Sequence, residues 1–371
     1  MHVGFGPLFQ NLGKPVPDHE VYVRELEMAR EAEGMGFDSV WSVEHHFTDY
    51  TMVPDVVQFL SYMAGHSRRM QLGSMVVVLP WHDPIRVAEQ VAMLDAMSGG
   101  RMILGVGRGL GRVEFDGFRV PMDESRQRFV ESAQMILTGL ERGYCEFEGT
   151  YIRQPRRDIR PAPFKTFRGR SFAAAVSPDS MPVMARLGVG LLIIPQKPWD
   201  SLREDFAVYH RVWADTHGAG SAPPAPLCGG FFFVDESADR AEEMAYRYVG
   251  NYYHSVMDHY ELRVSHLADK KGYEYYENFH KHIAKRTPDG AAADFVRLMP
   301  FGTPQQVIEK VEFIHETIGA QGLMTHFAYG GMPYDEANRN MRLFVDRVLP
   351  EVKRLGERRG ALLVEAAKRT A

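Results

Sequence analysis

The stretch FDSVWSVEHHF, residues 37–47, joins an apolar run to a polar end. Its β-branched and aromatic residues are typical of a buried strand. The strand then ends in Glu44, His45 and His46, and burying three ionisable side chains is costly unless each has a partner or a role. Metal binding, proton transfer and simple solvation are the three candidate roles, and the choice depends on what the rest of the chain places beside them.

Short runs of the same kind recur along the chain, separated by segments with helical periodicity. These runs are almost continuously apolar rather than alternating, which indicates parallel strands covered outside by helices and packed on the inside. We predict eight strands, at residues 2–9, 39–44, 71–79, 102–107, 171–176, 190–194, 227–234 and 322–328.

Helix boundaries are marked by polar residues followed by proline at several starts and by glycine at several ends. Thr303-Pro304 and Gly319, for example, enclose one predicted helix. We predict helices at residues 18–35, 53–66, 84–97, 122–141, 178–187, 199–216, 236–262, 303–318 and 334–349.

Eight consecutive strand–helix units predict an α/β fold, a (β/α)8 TIM barrel. An open doubly wound sheet is the alternative, but it requires a GxGxxG turn after the first strand, which FGPLFQNLGKP (5–15) does not provide. We predict a single domain, 1–371, with insertions at 142–170 after strand four and at 245–301 after strand seven. The second insertion is expected to act as a partly mobile lid over the site.

Composition excludes several classes of protein. The 371 residues carry a net charge of −5 and no basic patch, so nucleic acid is not an expected partner. The longest apolar run, MVVVLP (75–80), is too short to span a membrane, and the first residues lack a signal-peptide pattern. Cys145 and Cys228 form neither a disulfide framework nor a zinc motif, which predicts a cytoplasmic protein.

The polar end of strand two is expected at the active-site face, because the carboxyl ends of barrel strands carry the chemistry. Neighbours on a strand point to opposite faces, so His45 and His46 do not easily bind one ion, and we expect no metal. Histidine suits a general base or a hydrogen-bond donor, because its pKa lies near neutrality. The alternative is that one histidine faces the cavity and the other only packs.

Two further strand ends fit a bound phosphate. GGRMILGVGRGLGRVEF (99–115) places Arg108 among glycines that let a flat ligand approach the backbone, although it does not match GxGxxG. Arg126 lies near the start of the next helix, and SPDS (177–180) opens another with two hydroxyls and free N–H groups. Arginine side chains and helix starts are both suited to anions.

Taken together, these motifs resemble the bacterial luciferase-like flavin-dependent monooxygenases nearly end to end. EHHFT, DxxSxGR and GxxRG are highly specific as a set. The matching stretches are residues 36–50, 72–109, 118–129, 177–180 and 302–308.

The resemblance implies a barrel that binds reduced FMN at its carboxyl face. The reduced flavin reacts with O2 to give a flavin hydroperoxide, which oxygenates an aldehyde, ketone or related organic substrate. A separate NAD(P)H-dependent reductase supplies the flavin, and the second and third helices pack a homodimer. In the luciferases the first histidine of the EHHF motif is catalytic, which implies that role for His45.

The same match implies that two arginines and two serines, Arg108, Arg126, Ser177 and Ser180, hold the FMN phosphate. It also implies a non-proline cis peptide bond at about Met75–Val76, against the flavin ring. Glu44 is expected to orient a histidine or the flavin. The implied cofactor-binding residues are Glu44, Met75, Val76, Gly107, Arg108, Arg126, Val176, Ser177 and Ser180.

Two positions depart from the luciferases. Gly107 stands where they carry a reactive cysteine, and Val176 stands where they carry a carboxylate. Neither change removes the phosphate site, but both alter the surroundings of the flavin. We therefore do not expect a luciferase.

Two other functions fit the same barrel: hydride transfer with a deazaflavin coenzyme, and a non-catalytic flavin-binding subunit. The EHHF pair favours the oxygenase. Phe9 and Trp41 would line an apolar substrate pocket with the lid tyrosines, or belong to the core. His254 with His259, and His280 with His282, are expected to be solvated rather than metal ligands.

Overall fold

The structure is a computed structural model that describes residues 1–264 and 286–355 together with Leu267, Lys270, Tyr273 and Tyr275. In this part of the chain all eight predicted runs contain β-strands that close into one parallel barrel, which confirms the predicted fold. The strands are β1 (His2–Phe5), β2 (Ser39–Ser42), β3 (Gln71–Ser74), β4 (Val77–Val78), β5 (Met102–Gly107), β6 (Tyr144–Glu148), β7 (Arg153–Asp158), β8 (Ser171–Ala174), β9 (Gly190–Ile193), β10 (Leu227–Phe231), β11 (Phe233–Val234), β12 (Phe301–Gly302) and β13 (Gly322–His326).

The barrel closes because β3 pairs with β2 on one side and with β5 on the other. Around the ring the order is β1, β2, β3, β5, β8, β9, β10 and β13, and β13 pairs again with β1. All of these pairings are parallel. The carboxyl ends of the strands therefore meet at one rim, where side chains distant in sequence come together.

Helices surround the barrel, with the ends that the capping residues predict. Gly36, Gly99, Gly188 and Gly319 adopt the left-handed conformation just after their helices, and Thr303 forms a capping box. The helices are α1 (Asp18–Met35), α2 (Val56–His66), α3 (Pro84–Ser98), α4 (Arg112–Phe118), α5 (Ser125–Arg142), α6 (Ser180–Leu187), α7 (Trp199–His217), α8 (Ala238–His259), α9 (Pro288–Leu298), α10 (Pro304–Ile318) and α11 (Tyr334–Arg347).

Several helices differ from the sequence prediction. α6 begins at Ser180 rather than at 178, because Ser177 and Pro178 form a tight turn whose carbonyls accept from Ser180 and Met181. α4 was not predicted, because its seven residues follow a glycine-rich stretch. α9 was not predicted either, although Thr287-Pro288 gives it the same start signal as Thr303-Pro304.

The barrel interior has its own apolar cluster, separate from the layer between strands and helices. Trp41 is its largest member and is fully buried. Gly73 makes room for it, since a Cβ at that position would lie 2.2 Å from the indole ring. The other buried members are Met75, Ile103, Phe172, Leu192 and Met324. This cluster fills the barrel below the rim.

The third barrel strand is interrupted at its carboxyl end. β3 ends at Ser74 and β4 resumes at Val77, and the peptide bond between Met75 and Val76 is cis, as predicted. The Ser74 hydroxyl donates to the Gly105 carbonyl and accepts from the Gly105 amide, each at 2.8 Å. Side-chain hydrogen bonds thus hold the sheet together where the strand leaves it.

The two expected insertions contain regular structure. Residues 142–170 include the antiparallel hairpin of β6 and β7. Within 245–301, residues up to His259 continue α8, and α9 follows at Pro288. Most of the stretch between them, including His280 and His282, lies outside the described residues, and its role as a lid stays a prediction.

None of the described helices combines the length and the apolar character that crossing a bilayer needs.

Glu25 on α1 carries a buried carboxyl group near the segment that follows the first barrel strand. It is 2% exposed, its neighbours include Leu8, Phe9 and Tyr334, and its Oε2 makes no hydrogen bond among the described residues. Burial raises the pKa of Glu25 from 4.5 to about 8, against the opposing effect of the Leu8 and Phe9 amides. A pKa raised in the folded state gives stability that is complete below the unfolded value and is lost as pH rises through the folded one.

We therefore expect Glu25→Gln to match the wild type in unfolding free energy near pH 4 and to exceed it increasingly as the pH rises to about 8. Each unit of raised pKa weakens the folded wild type by up to about 1.4 kcal/mol at high pH. Urea unfolding across this range measures the difference. Glu27→Gln, on the exposed face of the same helix, is the control. Parallel pH curves for wild type and Glu25→Gln would contradict the prediction.

Candidate active site

A cavity of about 990 Å³ opens at the carboxyl rim of the barrel. Strand ends, the α6 start and helices α8 and α9 contribute to its wall. Its lining includes all ten residues that the sequence predicted for the site: Glu44, His45, Met75, Val76, Gly107, Arg108, Arg126, Val176, Ser177 and Ser180. Residues spread over 137 positions thus share one wall, although their roles remain predictions.

His45 is held at this wall by a carboxylate. Its Nδ1 lies 3.0 Å from Oε1 of Glu114, a residue of α4 that is fully buried. The backbone amide of His46 donates to the same oxygen at 3.0 Å. On the other side of the ring, Nε2 lies 3.3 Å from the Tyr260 hydroxyl. Both ring nitrogens have partners, so the imidazole is fixed in orientation.

A second histidine approaches the same carboxylate. His259, at the last position of α8, places Nε2 3.4 Å from Glu114 Oε1, and its Nδ1 lies 2.9 Å from Thr48 Oγ1. The ring stacks on Tyr50 at 4.6 Å. His259 is 6% exposed, so the expectation that it is solvated is wrong, because α8 carries it inward onto the rim.

The charge at this cluster is set by the two imidazoles. Burial alone would raise the pKa of the Glu114 carboxyl, but the neighbouring His45 and His259 lower it to about 2. Burial in turn lowers the pKa of His259, against the opposing effect of Glu114. Glu114 is therefore an anion between the two imidazoles that accepts a hydrogen bond from the His46 amide.

Glu44 and His46 form a separate network behind this wall. Glu44 Oε1 lies 2.7 Å from His82 Nε2 and 3.2 Å from His46 Nε2, and Oε2 accepts from the Val78 amide at 3.0 Å. The His46 ring packs edge-on against Trp81 and Phe118. His45 and His46 thus point in different directions, as their adjacency on a strand requires.

The other end of the cavity gathers groups that bind anions. The Arg108 guanidinium lies 4.0 Å from the ring centre of Tyr273, and Arg126 Nη1 lies 3.5 Å from the Asp179 carbonyl. Ser177 and Ser180 place their hydroxyl oxygens 3.1 Å apart at the start of α6. Two guanidinium groups, two hydroxyls and a helix start are the chemistry that a phosphate requires.

Between these ends the wall is mostly apolar and aromatic. α8 contributes Tyr252, Tyr253 and Met257, and α9 contributes Phe295. Phe9 and Trp41, which the sequence left open between pocket and core, are both fully buried in the core and absent from the lining. The apolar part of the cavity is therefore built by these two helices together with strand residues such as Leu192 and Met324.

Sequence analysis missed two residues of the cluster, Glu114 and His259. Glu114 belongs to the glycine-rich stretch that was singled out for Arg108, but the helix that orients it was not predicted. His259 shares a helical face with Tyr252 and Val256, since their spacings are those of one side of a helix. That periodicity lies within the predicted helix 236–262, but His259 was expected to be solvated because the insertion 245–301 that contains it is polar.

Comparison with known proteins places the chain in a family. A model described as luciferase-like monooxygenase matches residues 1–321, so the chain belongs to the luciferase-like monooxygenase family. The alpha chain of alkanal monooxygenase from Photorhabdus luminescens is 25% identical over 338 residues, which cover 90% of this chain and 93% of that protein. This membership supports the predicted flavin-dependent monooxygenase.

Two solved structures share the fold. The oxygenating constituent of 3,6-diketocamphane monooxygenase from Pseudomonas putida, a type II Baeyer–Villiger monooxygenase in complex with FMN, superimposes with a TM-score of 0.72 at 18% identity, over 94% of this chain and 98% of that one. An F420-dependent secondary alcohol dehydrogenase with an F420–acetone adduct gives 0.69 at 15% identity, over 95% and 98%. At these identities the likeness concerns the fold alone.

Gly107, which departs from the luciferase pattern, lies directly against the side chain of Val76. A Cβ at Gly107 would lie 2.3 Å from Cγ2 of Val76, well inside contact distance. Val76 follows the cis peptide bond, and its side chain fills the space that a residue larger than glycine would need. The two positions are therefore coupled by volume.

We expect Gly107→Ala to destabilise the protein by about 1–3 kcal/mol, the usual cost of overpacking. Val76→Ala should remove most of that penalty, so the double variant should be more stable than the sum of the single changes predicts. Urea unfolding of the four proteins measures the coupling. Gly105→Ala is the matched control, because its Cβ would meet the Ser74 carbonyl at 2.0 Å, which Val76→Ala cannot relieve. Strict additivity at 76 and 107 would refute the steric coupling.

Proposed function

We propose that this protein is a two-component monooxygenase that uses reduced FMN and O2 to oxygenate a small-to-medium organic substrate such as an aldehyde or ketone. The main support is the layout of the cavity. Groups suited to an anion lie at one end, His45 in contact with the Glu114 carboxylate lies at the other, and an apolar wall lies between them. An elongated cofactor with a phosphate at one end and a flat ring at the other matches that arrangement. When bound, reduced FMN supplies the activation of O2.

The phosphate end fits FMN by its donors. Arg108 and Arg126 offer fixed positive charge, and Ser177 and Ser180 offer hydroxyls at the start of α6. Charge-assisted hydrogen bonds of this kind are stronger than neutral ones. We assign the phosphate to these four residues and the ring to the wall formed by Met75, Val76 and Gly107.

At the ring end, His45 accepts and returns a proton. Nδ1 is held by Glu114, so the ring presents Nε2 toward the cavity and Tyr260. A histidine oriented by a carboxylate is well suited to accept and return a proton near neutral pH. Glu114 stabilises the imidazolium that results, because it stays ionised.

The apolar wall excludes water and accepts the substrate. Tyr252, Tyr253 and Phe295 face a cavity whose volume leaves room beside a flavin. A dry site protects reactive oxygen chemistry from side reactions with water. We propose that the substrate lies against α8 and α9, with its reacting carbon near His45.

Three further assignments complete the proposal. The chain acts as one barrel domain, a separate NAD(P)H-dependent reductase supplies the reduced FMN, and two copies form a homodimer. A deazaflavin coenzyme is the alternative cofactor, since an F420-dependent dehydrogenase shares the fold. His45, held by Glu114, favours the oxygenase because it supplies a proton carrier at the ring end.

Anaerobic titration with reduced FMN, followed by rapid mixing with oxygenated buffer, tests the function. We expect saturable binding and a transient absorbance that outlives the oxidation of free reduced FMN. His45→Gln should bind reduced FMN about as tightly as the wild type while turnover of the substrate falls roughly 10²–10⁴-fold. Arg108→Ala should instead weaken binding by about tenfold or more, since it removes a charge-assisted contact.

Arg186→Ala, on an exposed position of α6, is the control for Arg108→Ala and should bind normally. Absence of reduced-FMN binding in the wild type, together with tight binding of reduced deazaflavin, would overturn the FMN assignment. Undiminished turnover of His45→Gln would remove His45 from the chemistry.

A further inference from the structure

Three ligand atoms of metal-binding type converge beside the cavity. His45 Nδ1, Glu114 Oε1 and His259 Nε2 all lie within 4.8 Å of one another. The carboxylate oxygen is 3.0 Å from the first nitrogen and 3.4 Å from the second. The residues come from the end of β2, from α4 and from the end of α8, so only the folded barrel brings them together.

The outer ring nitrogens have the partners that metal-bound histidines need. His45 Nε2 lies 3.3 Å from the Tyr260 hydroxyl, and His259 Nδ1 lies 2.9 Å from the Thr48 hydroxyl. Both oxygens can accept a hydrogen bond. A ring that donates from its outer nitrogen leaves the inner nitrogen unprotonated, with its lone pair toward the cluster, and such outer partners typically orient metal ligands.

Two buried atoms of the cluster lack hydrogen bonds among the described residues. They are Glu114 Oε2 and His259 Nε2. The second atom, His259 Nε2, lies 3.4 Å from Glu114 Oε1 but makes no hydrogen bond to it. Buried polar atoms are nearly always satisfied, and an exception is commonly explained by a bound water or ion. A cation between the three residues would supply the missing partner of His259 Nε2.

We propose that His45, Glu114 and His259 bind a divalent transition-metal ion of the Zn²⁺ class. Ligand bonds of about 2.0–2.1 Å to nitrogen and carboxylate oxygen set ligand–ligand separations of roughly 3.3 Å in a tetrahedral site. The separations around Oε1 are close to this value, so small side-chain movements complete the site. Two imidazoles select such an ion over Mg²⁺ or Ca²⁺, which prefer oxygen ligands.

The site keeps an open coordination position. His45 and Glu114 both line the cavity, so a water molecule or a small ligand can reach the ion as a fourth ligand. Three protein ligands and an open position are typical of accessible rather than purely structural zinc sites. The ion therefore exchanges with the solution.

Metal binding has a consequence that rests on the proposed function. An ion on Nδ1 replaces the hydrogen bond between His45 and Glu114, and it holds the remaining proton on Nε2. The ring then cannot accept a proton on its cavity side, so a bound ion inhibits turnover reversibly. The metal site itself does not depend on the flavin.

Titration of full-length, untagged and flavin-free protein with Co²⁺ tests the site. We expect one Co²⁺ per chain with visible ligand-field bands of a four- or five-coordinate ion, displaced by Zn²⁺. His259→Gln and Glu114→Gln should weaken binding at least about tenfold and abolish the bands. His259→Cys restores a ligand, so it should bind Co²⁺ again and add a thiolate charge-transfer band.

His210→Gln, which removes an exposed histidine of α7, is the matched control and should leave the bands unchanged. Absence of saturable Co²⁺ binding in the wild type would overturn the site. Equal affinity and spectra in wild type and His259→Gln would do the same, because the ion would then sit elsewhere on the chain. Neither result touches the flavin titration, so this site and the proposed function can fail separately.

Discussion

The Ser74 hydroxyl, which bridges the carbonyl and the amide of Gly105, holds the barrel closed at the point where its third strand breaks. Without this bridge the departure of the chain at Met75 would leave two backbone groups of β5 unsatisfied in a buried sheet, which is costly. The bridge requires close approach, since a Cβ at Gly105 would lie 2.0 Å from the Ser74 carbonyl. A serine and a glycine thus allow Met75 and Val76 to turn into the cavity while the ring of parallel strands stays intact.

Closure of that ring determines which residues can meet. Parallel strands align their carboxyl ends, so the ends of β2, β5 and β8 bring Glu44, Arg108 and Ser177 to one wall. A carboxylate that follows β5, Glu114, then connects two elements that the strands do not join. It accepts from the His46 amide and approaches His259 from α8, so the helix that covers the cavity contacts the strand end that carries His45.

The sequence predicted the parts of the structure that depend on local pattern. Apolar runs identify the strands because a strand buried on both faces has no alternation, and Gly188 or Thr303 identifies a helix end because a cap is a local hydrogen-bonding problem. Glu114 and His259 were missed for the opposite reason. Their partnership spans 145 positions and depends on the rotation of α8 about its axis, which no short motif encodes. The Gly107 departure was visible, but its compensation by Val76 required the distance between them.

One part of the cavity was predictable from sequence motifs and another part was not. Its anion end and its ring face come from strand-end motifs, whose geometry the closed barrel fixes. Much of its apolar wall comes from Tyr252, Tyr253 and Phe295, on helices whose sequence carries no motif for a ligand. Substitutions in α8 or α9 can therefore reshape the apolar wall without disturbing the strand ends that carry Arg108 and Ser177. In this chain the two regions meet where His45 contacts Glu114 and Tyr260.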